Sequence, residues 1–188
     1  MIQFRHTRLA LLALVMGAAQ LFVACSEQAT QAIFDKQETQ IDNFVQATLK
    51  KEGTYAVYNK GSVRVVMEKG EETTDSLRTD GVVSFYYALY KLSGTSVSAS
   101  NLISTNSAEV AGSSWSLSDE SAFEIETVKL DESGYVEGLR NGLVGVRGGQ
   151  ECYILFSGEY GFGDRILGTI PANSALVYHI WVNSISNE

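Results

Sequence analysis

Tyr135-Val136-Glu137-Gly138-Leu139-Arg140-Asn141-Gly142-Leu143 is the stretch whose reading decides the fold. Val136, Leu139, Leu143 and Val144 fall on one side of a 3.6-residue period, which predicts a short helix over 135–146 with one apolar stripe. Gly148-Gly149 then makes a turn. The next segments are of another kind. Cys152-Tyr153-Ile154-Leu155-Phe156 and Ala175 to Val182 are short apolar runs rich in branched and aromatic residues, and they read as strands.

Toward the N-terminus the period is two. Val83, Phe85, Tyr87 and Leu89 share one face of a strand, with Ser84, Tyr86, Ala88 and Tyr90 on the other. Tyr55 to Tyr58, Ser62 to Met67 and Phe123 to Val128 read the same way. Lys69 to Gly81 is a polar connection. Residues 95–122 break the rhythm: they are rich in Ser, Asn, Thr and Ala and hold Trp115 as their one large anchor. A stretch of that length reads as an inserted loop, and Trp115 is expected to fold over a pocket mouth. Several strands around one short helix make an α+β domain with a mostly antiparallel sheet.

Ahead of the sheet, Ile33, Phe34, Ile41, Phe44, Val45 and Leu49 form another helical stripe, with Lys50 and Lys51 at its end and Gly53 as a stop. Residues 33–53 are therefore expected to be an N-terminal amphipathic helix that packs on the domain. Residues 25–32 look like a polar tether. Before them, Arg5 and Arg8 head an apolar run from Leu9 to Val23, interrupted only by Gly17 and Gln20. A spanning helix needs about 20 apolar residues, so residues 1–24 read as an export signal. Ala24 just before Cys25 is the lipoprotein pattern, with Cys25 as the lipidated residue and the membrane as its partner. Firm anchoring needs more than one acyl chain, and bacterial lipoprotein cysteines resemble that case. Ser26 resembles the outer-membrane sorting pattern. The expected location is the cell envelope, lipid-anchored to the outer membrane and facing the periplasm.

The composition narrows the function. There are 14 basic and 22 acidic residues, a net charge of −8, and the two arginines of the head leave with the signal. That balance argues against nucleic acid, whose binding rests on neutralising phosphates. Cys152 is the only cysteine besides Cys25, and His179 the only histidine after His6. A zinc site needs three or four ligands, so no metal and no cofactor is expected. Cys152 reads as core packing, and His179 as an alternate-face strand residue.

The order of the motifs then points to a family. Gly138-Leu139-Arg140-Asn141-Gly142-Leu143, Gly149-Gln150-Glu151, Tyr160-Gly161-Phe162-Gly163, Ile170-Pro171-Ala172-Asn173 and Leu176-Val177-Tyr178 follow one another. This resembles the closing half of an FKBP-type peptidyl-prolyl cis-trans isomerase. Val83 to Gly94 is similar to an earlier strand of the same family, so the resemblance covers roughly 62–188. It implies a twisted antiparallel sheet wrapped around one short helix, within a domain over 54–188.

The resemblance also implies a pocket. Tyr87 would form one wall, and Phe123 or Ile125 another. Val97 and Ser98 stand where the family usually has Phe and Asp. Tyr135 and Val136 match its Val-Ile pair, with the Val136 amide as donor to the substrate carbonyl. Leu139 replaces the Trp of the floor, Phe162 replaces a Tyr, and Ile170 and Tyr178 close the far side. The implied activity is weak prolyl isomerisation, or folding help, on proline-containing segments of exported polypeptides. The departures at Ser98, Leu139 and Phe162 imply the alternative, a catalytically inactive binding or scaffold lipoprotein.

Overall fold

Alternation along β3 (Val82–Lys91) organises the molecule. In the computed structural model, which describes residues 27–71, 75–112 and 120–188, Val83, Phe85 and Leu89 are buried on one face and Ala88 and Tyr90 on the other. A strand buried on both faces must be central. β3 pairs along its whole length with β7 (Leu176–Ser186), from Val82↔Ser186 to Lys91↔Leu176.

The remaining strands are β1 (Tyr55–Asn59), β2 (Ser62–Lys69), β4 (Leu102–Thr105), β5 (Glu126–Lys129) and β6 (Gln150–Phe156). The sheet runs β1-β2-β6-β7-β3-β4, with β5 also paired to β3. Every pairing is antiparallel. On one face of the sheet lies α3 (Glu137–Leu143). Between them Leu139 and Leu143 meet Phe85, Ile154, Phe156, Leu176 and Ile180 in the main core.

The helix approaches the sheet closely because Gly138 and Gly142 face it. A Cβ on Gly138 would come within 2.2 Å of the Phe156 ring, and one on Gly142 within 2.2 Å of Ile154. The helix is shorter than the 135–146 expected, since Val136 and Val144 both have extended ψ values (152° and 126°) and only flank it. Its C-terminus is closed by Arg64 of β2. The guanidinium donates 2.7 Å bonds to the Gly142 and Val144 carbonyls and a 3.2 Å bond to that of Gly145. Those bonds satisfy carbonyls that the end of a helix leaves unpaired. Burial lowers the Arg64 pKa from its ordinary 12.5.

The opposite face carries α1, a helix over residues 27–48. Ile41, Phe44 and Val45 are buried against Val63, Val65, Leu155 and Val177, each contributing roughly 1.5–3 kcal/mol by burial. Phe44 meets the Tyr153 ring edge-on, centroids 5.3 Å apart. This corrects the expected boundaries: residues 27–32 are helical rather than tether, and the helix stops before 53. Glu27 to Ala32 are polar, but Glu, Gln and Ala are good helix formers and no proline interrupts them. Residues 1–26 lie outside the described residues, and with them the signal and Cys25.

The described residues of the 95–122 stretch form regular elements where an inserted loop was expected. It holds β4, which pairs Ala88↔Thr105 and Leu89↔Ser104 on β3. It also holds α2 (Ala108–Ala111), whose first turn is capped by the Ser107 hydroxyl. Trp115 lies outside the described residues. The strand expected over 123–128 is shifted: Glu120–Phe123 is a 3₁₀ turn and β5 begins at Glu126.

Candidate active site

Four rings meet on the sheet face that carries α3. Phe85 and Tyr87 come from β3, Tyr178 from β7, and Tyr135 from the residues just ahead of α3. Ring centroids are 6.4 Å apart for Phe85–Tyr87, 6.3 Å for Phe85–Tyr135 and 5.9 Å for Tyr87–Tyr178. Phe156 stacks behind Tyr178 at 6.0 Å. With Leu139 and Glu126 the four rings enclose a cleft of about 100 Å³. The strand period and the position of α3 produce this set, since Phe85 and Tyr87 are two apart and Leu139 is on the sheet-facing side of its helix.

The hydroxyls are placed by their partners. Tyr135 donates to the Glu126 carboxylate at 2.8 Å. The Tyr87 and Ser104 hydroxyls lie 3.2 Å apart. Burial first, and the Glu126 carboxylate second, push the Tyr135 phenol far above its ordinary range, and burial does the same to Tyr178. Both stay protonated. The cleft therefore offers aromatic faces, neutral hydroxyls and one carboxylate. Val136 lies at the mouth of α3, and no described residue accepts its N–H.

Of the residues named from sequence, Tyr87, Tyr135, Leu139 and Tyr178 line the cleft together. Ile170 is buried in the same core cluster, and Phe162 packs against that cluster from the 158–163 turn without lining the cleft. Three residues lie elsewhere. Val97 belongs to the cluster under α1 on the opposite face. Ser98 is exposed and caps the 3₁₀ turn 99–101. Phe123 lines a separate groove with Tyr86 and Trp181. The cause is the register of β4. The place beside Tyr87 is filled by Ser104, with Ile103 packed on the core, six residues beyond the expected Val97-Ser98 pair. On β5 the inward position opposite Phe85 belongs to Glu126.

The sequence reading does not single out Asn106, which braces the site, or Gln37, which ties α1 to the turns at Gly158 and Asn173. Asn106 is only 6% exposed. Its Oδ1 accepts the Tyr87 N–H at 2.6 Å, and its Nδ2 donates to the Glu124 carbonyl at 3.1 Å and the Phe85 carbonyl at 3.4 Å. It thereby bridges the gap on β3 between β4 and β5. Gln37 of α1 accepts the Gly158 N–H at 2.8 Å and donates to the Asn173 carbonyl. A buried amide on an apolar stripe is a signal for such a clamp, because buried polar groups need partners.

Cys152 is buried, and burial raises its thiol to about 12. His179 lies on the outer face, its ring 3.8 Å from Trp181 and its Nε2 2.8 Å from Glu151. Neither reaches the cleft.

The model of the FKBP-type peptidyl-prolyl cis-trans isomerase family matches residues 82–183. Three solved structures are similar in fold. FkpA from Escherichia coli is 18% identical with a TM-score of 0.56, covering 93% of this chain and 71% of its own. The three FKBP domains of wheat FKBP73 are 18% identical at a TM-score of 0.52, covering 71% and 49%. The N-terminal domain of FKBP42 from Arabidopsis thaliana is 10% identical at 0.53, covering 73% and 96%.

Proposed function

The chain belongs to the FKBP-type peptidyl-prolyl cis-trans isomerase family, and on that premise we propose that it accelerates isomerisation of X-Pro bonds in exported polypeptides. The observation that carries this is the cleft of Phe85, Tyr87, Tyr135 and Tyr178 over Leu139. Uncatalysed X-Pro rotation is slow because it breaks amide resonance. No nucleophile is needed to speed it. A cleft that removes water from the amide and fits the twisted geometry stabilises the transition state over the planar ground states. In this reading the Val136 N–H, which no described residue accepts, donates to the substrate carbonyl. A proline-limited refolding reaction tests the reading. Acceleration by the native chain, weakened in Tyr178→Ala, is the expected result; no acceleration by folded protein would refute catalysis.

A second reading is a binding module without catalysis. Leu139 in place of an aromatic floor favours it, since the cleft keeps aromatic walls over a smaller base. Activity that appears only in Leu139→Trp would decide for this reading.

Cellular placement rests on the sequence. In this reading the signal is removed, Cys25 carries lipid, and the domain works at the periplasmic side of the outer membrane. Cys25→Ser should abolish lipid labelling and release the protein from membranes; unchanged membrane retention would contradict the anchor.

A further inference from the structure

Glu126 is an unusual wall for a cleft that is otherwise aromatic. Its carboxylate is half-buried, and among the described residues it accepts a hydrogen bond from the Tyr135 hydroxyl at 2.8 Å. Among the described residues no cation lies within ion-pair distance of it. The nearby strand residue Lys129 is engaged with Glu132 at 2.7 Å and Asp131 at 3.8 Å. The cleft lining contains no Lys or Arg. A carboxylate partly withdrawn from water and lacking a counter-charge favours a cation brought by a ligand. The surrounding rings point the same way, because aromatic faces attract cations through their quadrupole. The tyrosine hydroxyls do not supply a competing charge, since both buried phenols stay neutral.

Taking the prolyl cleft as premise, we infer that Glu126 sets the substrate class: proline segments in which a lysine or arginine is adjacent to the proline. The prolyl ring occupies the aromatic cleft, and the neighbouring cationic head pairs with the Glu126 oxygen that does not take the Tyr135 hydroxyl. A glutamate in that position of the substrate is repelled. The net charge of −8 strengthens the same preference at longer range.

The test is equilibrium binding of matched peptides that differ only in the residue flanking proline, Lys, Gln or Glu, followed by calorimetry. The native protein should rank them Lys, then Gln, then Glu, with about a tenfold gap between the extremes. Added salt should narrow the gap. Glu126→Gln keeps an acceptor for Tyr135 and should bring the Lys and Glu peptides to similar affinities, while an unchanged melting temperature shows that the fold is intact. Equal affinities in the native protein, or a gap that survives Glu126→Gln, would overturn the charge preference alone. No binding of any proline peptide would overturn the prolyl cleft itself, and this inference with it.

Discussion

The cleft has two walls built in different ways. One comes from β3, β7 and α3, the elements that build the main core: Phe85, Tyr87, Tyr178 and Leu139. The other comes from β4 and β5, two four-residue strands lying end to end along β3: Glu126 lines the cleft, and Ser104 backs it through the Tyr87 hydroxyl. The first wall is also the domain core, so changes there cost stability before they change function. The second is held mainly by hydrogen bonds from Asn106, Thr105 and the β ladder, so changes there should reshape the site with less damage to the fold.

The largest effect should come from the central wall. Gly138→Leu puts a side chain where even a Cβ meets the Phe156 ring at 2.2 Å. Overpacking of this kind should cost about 3 kcal/mol or more, seen as a fall in the denaturant midpoint. A midpoint near that of the native protein would mean that α3 does not need its close seat.

On the second wall, Asn106→Ala leaves the Tyr87 N–H and the Glu124 carbonyl without their buried partner. A loss of about 1–3 kcal/mol is expected, together with a larger proportional loss of peptide affinity than Gly138→Ala produces per unit of stability. Equal proportions in the two variants would erase the distinction between the walls.

A smaller effect is expected behind the central wall. Burial holds the His179 pKa below its ordinary 6.5 and outweighs the opposing hydrogen bond to Glu151. The unfolded chain therefore takes up the proton first as pH falls. Stability is full above about pH 6.5 and declines below it. Melting temperature should drop between pH 6.5 and 5, and the drop should be shallower in His179→Gln. An identical pH profile in the variant would locate the titration elsewhere.

The same division explains what could be read from the sequence. Period two along Val83 to Leu89 and the spacing of Leu139 and Leu143 are long, repetitive signals, and the wall they make was legible with its residues. β4 and β5 are too short to carry a period. Six Ser, Thr or Asn residues between Val97 and Ser107 look alike in composition, so nothing local sets the register there. The register is fixed by Asn106 and by pairing with β3, both of them contacts between segments far apart in sequence. Helix α1 shows a related limit: its first turns are exposed and polar, so its apolar stripe marks the buried half and not the start.

The most direct measurement is exchange NMR of a short proline peptide with and without the protein, together with amide shifts of the protein itself. Cis–trans exchange peaks that appear with catalytic amounts of protein, and shifts centred on Val136, Leu139 and the residues around Tyr87, are the expected result. Exchange at the uncatalysed rate, with shifts scattered or confined to the outer face near Trp181, would contradict the prolyl cleft.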